Sequence, residues 1–210
     1  MTLPAGVERR RFDGERALAT RGDPVYGEPT DGPWRRWDPS RSKLGATIEA
    51  GLPTGFSGGE TVLYLGAASG TTASHVADFA GPTYAVEFAP RPMRDLLGVA
   101  DGRENLFPLL KDARAPETYA HVVEPVDAIV QDVATRGQAQ VALSNRRFLS
   151  EGGWLVAAIK SRSEDVTRKP TAVFEDVLAD LRTGYDIEAT RRLDPLHDGH
   201  LAVVATSRSD

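Results

Sequence analysis

The chain has 210 residues, 40% of them hydrophobic, and a formal net charge of −5, enough for one domain or a domain plus a small appendage, burying roughly 70% of the surface its unfolded form exposes. It has no cysteine, which excludes disulfides, cysteine-ligated zinc, iron–sulfur clusters and thiol nucleophiles, and its four histidines show no metal-ligand spacing. No long uncharged apolar run offers a membrane span, and Arg9-Arg10-Arg11 has no apolar stretch behind it and is no secretory signal.

A cytoplasmic protein with neither metal nor membrane contact is therefore expected. Gly and Pro recur through the opening stretch, and the short runs 7–12 and 16–20 between them read as strands. A small β-rich unit over residues 1–52 is expected. It closes with a helix over 41–52 that places Leu44, Ile48 and Leu52 on one face. From residue 53 onward strands and helices alternate. Apolar or β-branched runs predict strands at 61–65, 83–88, 106–110, 126–131 and 154–159. Helical spacing predicts helices over 71–80, 91–103, 138–149 and 171–183, with a short one over 116–123. The last two strands, 186–193 and 200–206, are close enough to pair as a hairpin. This order predicts an α/β fold over residues 53–210. Its seven-stranded, mostly parallel sheet has helices on both faces, and the terminal hairpin adds one antiparallel strand.

Leu63-Tyr64-Leu65-Gly66-Ala67-Ala68-Ser69-Gly70-Thr71-Thr72 spans the first of these strands, its turn and the start of its helix. In a doubly wound sheet the ligand lies beyond the C-terminal strand ends, where strand order reverses. Gly66 and Gly70 let the backbone approach a ligand closely. The free N–H groups near Thr71 and Thr72 favour a carboxylate or another anion. The same pattern also fits a plain strand–turn–helix with glycines for packing. Two acids tilt the reading toward a nucleoside. Glu87 ends the second strand, 21 positions after Gly66, where an acid accepts ribose hydroxyls. Asp112 follows the third strand, placed to accept from an adenine amino group. The turn lacks the third glycine of G-x-G-x-x-G, which favours S-adenosylmethionine over NAD.

Asp132 closes the fourth strand and Lys160 the fifth, neighbours on the same rim. Lys is scarce: of 25 cationic residues only Lys43, Lys111, Lys160 and Lys169 are not Arg. That bias points to a GC-rich or high-salt source and makes each Lys informative. In high salt, attraction to phosphate is screened within a few Å, so the acidic total does not exclude an RNA partner. An Asp beside a Lys at the end of an apolar strand is either a structural ion pair or a proton-handling pair. In the second case the Lys deprotonates a hydroxyl or stabilises its alkoxide, and the Asp orients it. On sequence alone Lys43 reads as an exposed helix residue, His200 as a loop histidine and His75 as structural.

Taken together, these segments resemble the fibrillarin family of RNA 2′-O-methyltransferases, specifically its archaeal branch. The resemblance rests on Trp37-Asp38-Pro39-Ser40-Arg41-Ser42-Lys43-Leu44, on Tyr64 to Thr72, and on Tyr84-Ala85-Val86-Glu87-Phe88-Ala89-Pro90 running on to Leu97. Asp112-Ala113-Arg114, Gln131-Asp132-Val133-Ala134 and Ala158-Ile159-Lys160 extend it over essentially the whole chain. It implies a small β-sheet domain ahead of a class I, Rossmann-like methyltransferase fold. It implies S-adenosylmethionine against Gly66, Thr71, Thr72, Glu87, Phe88, Asp112, Ala113, Asp132, Val133, Ala134 and Thr135, and a catalytic set of Lys43, Asp132, Lys160 and His200. In that set Lys160 activates a ribose 2′-hydroxyl, Asp132 holds Lys160, and Lys43 and His200 assist by charge and orientation. The implied setting is a C/D box guide ribonucleoprotein acting on rRNA and tRNA, with a guide RNA, a Nop-domain scaffold protein and a kink-turn-binding protein. Two stretches depart from the family pattern. After the fourth strand the family reads Asp-Val-Ala-Gln-Pro-Asn-Gln-Ala, where this chain has Asp132-Val133-Ala134-Thr135-Arg136-Gly137-Gln138-Ala139. The family's Asp-His before the last strand is Asp198-Gly199-His200 here.

Three rival readings make other demands. An NAD oxidoreductase predicts a third turn glycine and leaves Asp132 and Lys160 without work. A small-molecule methyltransferase usually carries a capping insertion, for which 210 residues leave little room. A non-catalytic subunit has no need of Glu87, Asp112, Asp132 and Lys160 together.

Overall fold

Four short antiparallel strands begin the fold: β1 (Val7–Phe12), β2 (Glu15–Arg21), β3 (Thr30–Asp31) and β4 (Trp34–Trp37), in the order β1-β2-β4-β3. The computed structural model describes residues 3–208; the outermost residues of the two expected units, 1–2 and 209–210, lie outside the described residues. Asp13 and Gly14, at φ 50° and 86°, form the two-residue turn between β1 and β2, a left-handed pair that matches strand twist. The sequence does not announce β4. Its pattern Trp-Arg-Arg-Trp hides the alternation, because Trp34 packs with Phe12, Ala17 and Ala19 on one face while a fully buried Arg35 joins Trp37 on the other.

Ser42 caps the next helix, α1 (Lys43–Glu49), its Oγ accepting the Gly45 N–H at 3.0 Å. The expected helix over 41–52 is thus shorter at both ends. The chain then alternates through β5 (Val62–Leu65), α2 (Thr71–Ala77), β6 (Thr83–Glu87), α3 (Pro90–Ala100), β7 (Leu106–Leu110), β8 (Val126–Gln131), α4 (Gln138–Asn145) and β9 (Leu149–Lys160). It ends with α5 (Ser161–Glu164), α6 (Pro170–Leu181), β10 (Tyr185–Arg192) and β11 (His200–Ser207). The seven-stranded sheet has the order β10-β11-β9-β8-β5-β6-β7. All neighbours from β9 to β7 are parallel, and β11 alone runs against the rest, as the hairpin reading required. Strand order reverses at β5, which has β6 on one side and β8 on the other.

Further elements differ from the sequence reading. The short helix expected at 116–123 is a single 3₁₀ turn, Pro116–Thr118. The helix expected over 138–149 stops at Asn145 and passes through a 3₁₀ turn, Arg146–Phe148. The following strand starts at Leu149, ahead of Gly152-Gly153, because these glycines lie inside β9, where its pairing with β8 is irregular.

The core has two layers, one on each face of the sheet. Leu63, Leu65, Ile129, Leu155 and Ile159 face α4 and α6. Tyr64, Val62, Val130 and Val156 face the other way and share one cluster with Leu18 and Trp37 of the N-terminal sheet and Leu44 and Ile48 of α1. The N-terminal sheet is therefore welded to the larger one, with α2 between them and buried on nearly every side. At this joint Arg35 is wholly enclosed. It binds Glu28 at 2.5 Å and Asp78 at 2.7 Å, and Arg103 reaches Asp78 from the other side at 3.2 Å. His75 of α2 stacks on Trp37 with ring centroids 5.0 Å apart.

Candidate active site

The turn after β5 is shaped by β6. The N–H groups of Gly66 and Ala67 donate to the Val86 carbonyl at 2.9 and 3.1 Å. The Glu87 carboxylate accepts the N–H groups of Ala68 at 2.9 Å and Ala89 at 2.7 Å. Gly66 has φ 83°, a left-handed conformation that glycine adopts without strain. β8 also passes close to it: a Cβ at Gly66 would stand 2.4 Å from the Asp132 carbonyl oxygen.

Beyond these strand ends, at the reversal of strand order, lies a cleft of about 420 Å³. Gly66, Glu87, Phe88, Asp112, Ala113 and residues 132–135 all line it. Phe88 is 67% exposed and presents a free aromatic face. Two of the lone-pair positions of Glu87 are taken by backbone N–H groups, which fixes the carboxylate and leaves its others for two hydroxyls. Arg114 forks onto Asp112, with its closest contact at 2.6 Å, and this pairing holds the Asp112 carboxyl below the usual carboxylate range. A mostly apolar cleft with two strand-end carboxylates and one exposed aromatic face fits an adenosine carrying a charged amino-acid tail.

Next to the cleft the polar residues of the rim converge. Lys43, in the first turn of α1, donates from Nζ to Asp132 Oδ2 at 2.9 Å, and both side chains are about one-quarter exposed. Asp132 itself is anchored by its N–H to the Leu65 carbonyl at 2.9 Å. The expected Asp132–Lys160 ion pair does not form. Asp132 is engaged by Lys43, because α1 lays its N-terminus against the end of β8. Among the described residues Lys160 Nζ has no ion-pair partner.

Lys160 is instead the register partner of His200 across β9 and β11. His200 Nδ1 lies 2.9 Å from the Asp198 carbonyl. A carbonyl can only accept, so Nδ1 carries the proton and Nε2 holds the lone pair. Burial pushes His200 below the ordinary imidazole range; the Asp198 contact opposes this and Lys43 adds to it. A largely neutral imidazole with a bare Nε2 results. The Gly199 inserted before it sits in the loop and leaves His200 at the first position of β11.

Thr71 and Thr72 do not line the cleft. They open α2 on the side that meets the N-terminal unit. Thr72 is buried and donates its hydroxyl to Ser42 Oγ at 3.1 Å, while Thr71 borders a separate surface hollow with Tyr26 and Asp95. Sequence reasoning missed two residues around the site. Arg114 pairs with Asp112 two residues away, a spacing that was available to read. His197 Nε2 donates to the Pro39 carbonyl at 2.7 Å across 158 positions, which no local signal reveals.

The Fibrillarin family model matches residues 8–209 of the chain. The chain is 73% identical to the fibrillarin-like rRNA/tRNA 2′-O-methyltransferase of Halobacterium salinarum, over 99% of this chain and 100% of that protein. It is 68% identical to the protein of the same description from Haloarcula marismortui, over 100% of both. Among solved structures it superposes on a fibrillarin/Nop5p complex with a TM-score of 0.91 and 38% identity, covering 99% of this chain and 100% of that one. It superposes on Aeropyrum pernix fibrillarin with natively bound S-adenosyl-L-methionine with a TM-score of 0.82 and 42% identity, covering 98% and 100%.

Proposed function

The chain belongs to the fibrillarin family, and from that premise we propose how its rim residues carry out methyl transfer. It is an S-adenosylmethionine-dependent rRNA/tRNA 2′-O-methyltransferase. S-adenosylmethionine supplies, when bound, a methyl group already activated by the sulfonium. Glu87 holds the ribose hydroxyls, Phe88 covers the adenine, and Asp112 accepts from its amino group. Gly66, Ala113 and residues 132–135 shape the rest of the cleft.

The chemistry left to the protein is alignment and handling of one proton. Lys160 acts on the target 2′-hydroxyl, taking its proton or stabilising the alkoxide as the proton leaves. His200 stands opposite Lys160 and offers a neutral Nε2 acceptor to the same region. Asp132 orients the rim, with Lys43 fixing its carboxylate and balancing its charge. The observation that carries this reading is the convergence of Lys43, Asp132, Lys160 and His200 beside the cleft, from four separate elements.

The division at residue 52 then separates a unit that brings Lys43 from one that binds the cofactor. RNA is the substrate, and the solved fibrillarin/Nop5p complex supports a Nop-domain partner. A C/D box guide RNA that selects the nucleotide, and a kink-turn-binding protein, complete the particle in this reading. No helix among the described residues is long and apolar enough to cross a membrane, and the cytoplasm is the proposed location. Lys160→Ala is the direct test. It is expected to abolish methylation in the reconstituted particle while calorimetry finds S-adenosylmethionine binding near normal. Unchanged turnover removes Lys160 from its role.

A further inference from the structure

Lys160 is the last residue of β9, and by that point β8 has turned away: the β8–β9 ladder ends where Gln131 faces Ala157. The main chain of Lys160 therefore has no strand to bond on that side. The carboxamide of Gln138 takes its place. Gln138 Oε1 accepts the Lys160 N–H at 2.8 Å, and Gln138 Nε2 donates to the Lys160 carbonyl at 3.0 Å. This pair of bonds copies what a neighbouring strand would provide.

Gln138 is itself fully buried and held from three directions. Its N–H donates to Glu164 Oε1 at 2.7 Å, its Nε2 donates to the same oxygen at 2.9 Å, and its carbonyl accepts from Gln131 Nε2 at 2.9 Å. The second oxygen of Glu164 accepts the Gly137 N–H at 2.8 Å. On the far side of the strand, the Ser161 N–H and Oγ both donate to the Gly199 carbonyl at 3.0 Å. The peptide at Lys160 is thus clamped on both edges, while its Nζ has no ion-pair partner among the described residues. A lysine without a side-chain partner takes its direction from its backbone anchor.

We infer that Gln138 is a positioning residue for methyl transfer: through the main chain of Lys160 it sets where the amine meets the 2′-hydroxyl. The inference rests on the role proposed for Lys160. Gln138 does not line the cleft; its side-chain and carbonyl hydrogen bonds go to the Lys160 main chain, Gln131 and Glu164.

Three readouts test it: single-turnover methylation in the reconstituted particle, calorimetry with S-adenosylmethionine, and amide-proton exchange at Lys160 in the full chain. Gln138→Leu keeps the volume and removes both bonds. Turnover is expected to fall about a hundredfold, the effect of a misplacement near 1 Å, with cofactor affinity unchanged and faster exchange at the Lys160 N–H. Gln138→Glu keeps the shape, but its carboxyl can donate to the Lys160 carbonyl and to Glu164 only when protonated. Its turnover relative to the parent at each pH is therefore expected to rise as pH falls. A residue that merely fills space gives a flat ratio, and so does a clamp without consequence for chemistry; either result overturns the inference. The Glu variant decides the matter if the Leu variant does not fold. Lys160→Ala run alongside separates the two failures. Full activity there overturns the role of Lys160 and this inference with it. An inactive Lys160→Ala beside Gln138 variants at parental turnover overturns the part of Gln138 alone.

Discussion

Lys43 and Asp132, 89 positions apart, meet at 2.9 Å. The contact joins the first turn of α1 to the end of β8, so one proposed catalytic group is carried by the N-terminal unit and its counter-charge by the larger sheet. Lys43→Met keeps the stem of the side chain and deletes the charge. Leaving the Asp132 carboxylate without its donor is expected to lower turnover about a hundredfold, the scale of losing one preorganised electrostatic contact. Cofactor affinity is expected to change far less. Single-turnover methylation and calorimetry check both, and parental turnover in Lys43→Met removes Lys43 from the catalytic set.

Glu87 does two jobs. It accepts the Ala68 N–H of the turn and the Ala89 N–H ahead of α3, and faces the cleft with its remaining lone pairs. Glu87→Ala loses both. Hydrogen bonds to a charged group are worth about 1.5–3 kcal/mol each, so losing the two to the ribose hydroxyls is expected to weaken S-adenosylmethionine affinity about 100- to 10,000-fold. Calorimetry reads this directly. Undiminished affinity places the ribose elsewhere.

Gly66→Ala and Gly14→Ala form a matched pair. Both positions have a left-handed φ, 83° and 86°. Nothing stands within 4 Å of a Cβ at Gly14, whereas one at Gly66 meets the Asp132 carbonyl at 2.4 Å. Gly14→Ala is expected to carry backbone strain alone, about 1–3 kcal/mol in denaturant unfolding, with parental turnover. Gly66→Ala adds displacement of Asp132 and is expected to lose turnover as well. Equal activity in the two variants contradicts this account.

Legibility in the sequence follows the range of the interactions involved. The strand-end acids Glu87, Asp112 and Asp132 were readable because each stands at or within two residues of the end of a mostly apolar strand, which the parallel sheet turns into a shared rim. The partner of Asp132 was not readable. It depends on how α1 packs, and nothing around Lys43 encodes a contact with a strand 89 positions on. Thr71 and Thr72 matched a helix-start pattern, but the Thr72 hydroxyl turns to Ser42 and Thr71 borders a separate hollow. β4 was hidden because its inward residue is Arg35, which the alternation rule scores as outward. The early start of β9 was hidden by Gly152-Gly153, which ordinarily ends a strand.

His75 gives a prediction in pH. The Thr20 hydroxyl donates to Asp78 at 2.7 Å, so the His75 Nδ1 beside it, at 2.7 Å, carries the proton, and Nε2 accepts from the Tyr26 hydroxyl at 3.2 Å. The ring is neutral, and burial holds it well below the ordinary imidazole range, with Arg35 and Arg103 adding to the effect. The unfolded imidazole titrates near about 6.5. Its contribution to stability is therefore complete above that pH and is lost as pH falls below it, at about 1.4 kcal/mol per pH unit until the folded ring also takes a proton. Denaturant unfolding at pH 7.5 and 5.5 measures the slope. His75→Gln is expected to reduce it by about one proton, and an unchanged slope rules out His75 as its source.

The buried Arg35 bridge gives the enzyme a weak point far from its chemistry. Holding a guanidinium between Glu28 and Asp78 keeps the N-terminal sheet seated, and that sheet leads through Trp37 and Ser42 to the helix that delivers Lys43. Loss of a residue at one end of this lever disarms the other. Because the two sheets share one core, removing either carboxylate would leave a guanidinium buried without its partner and loosen the seat from which Lys43 is presented.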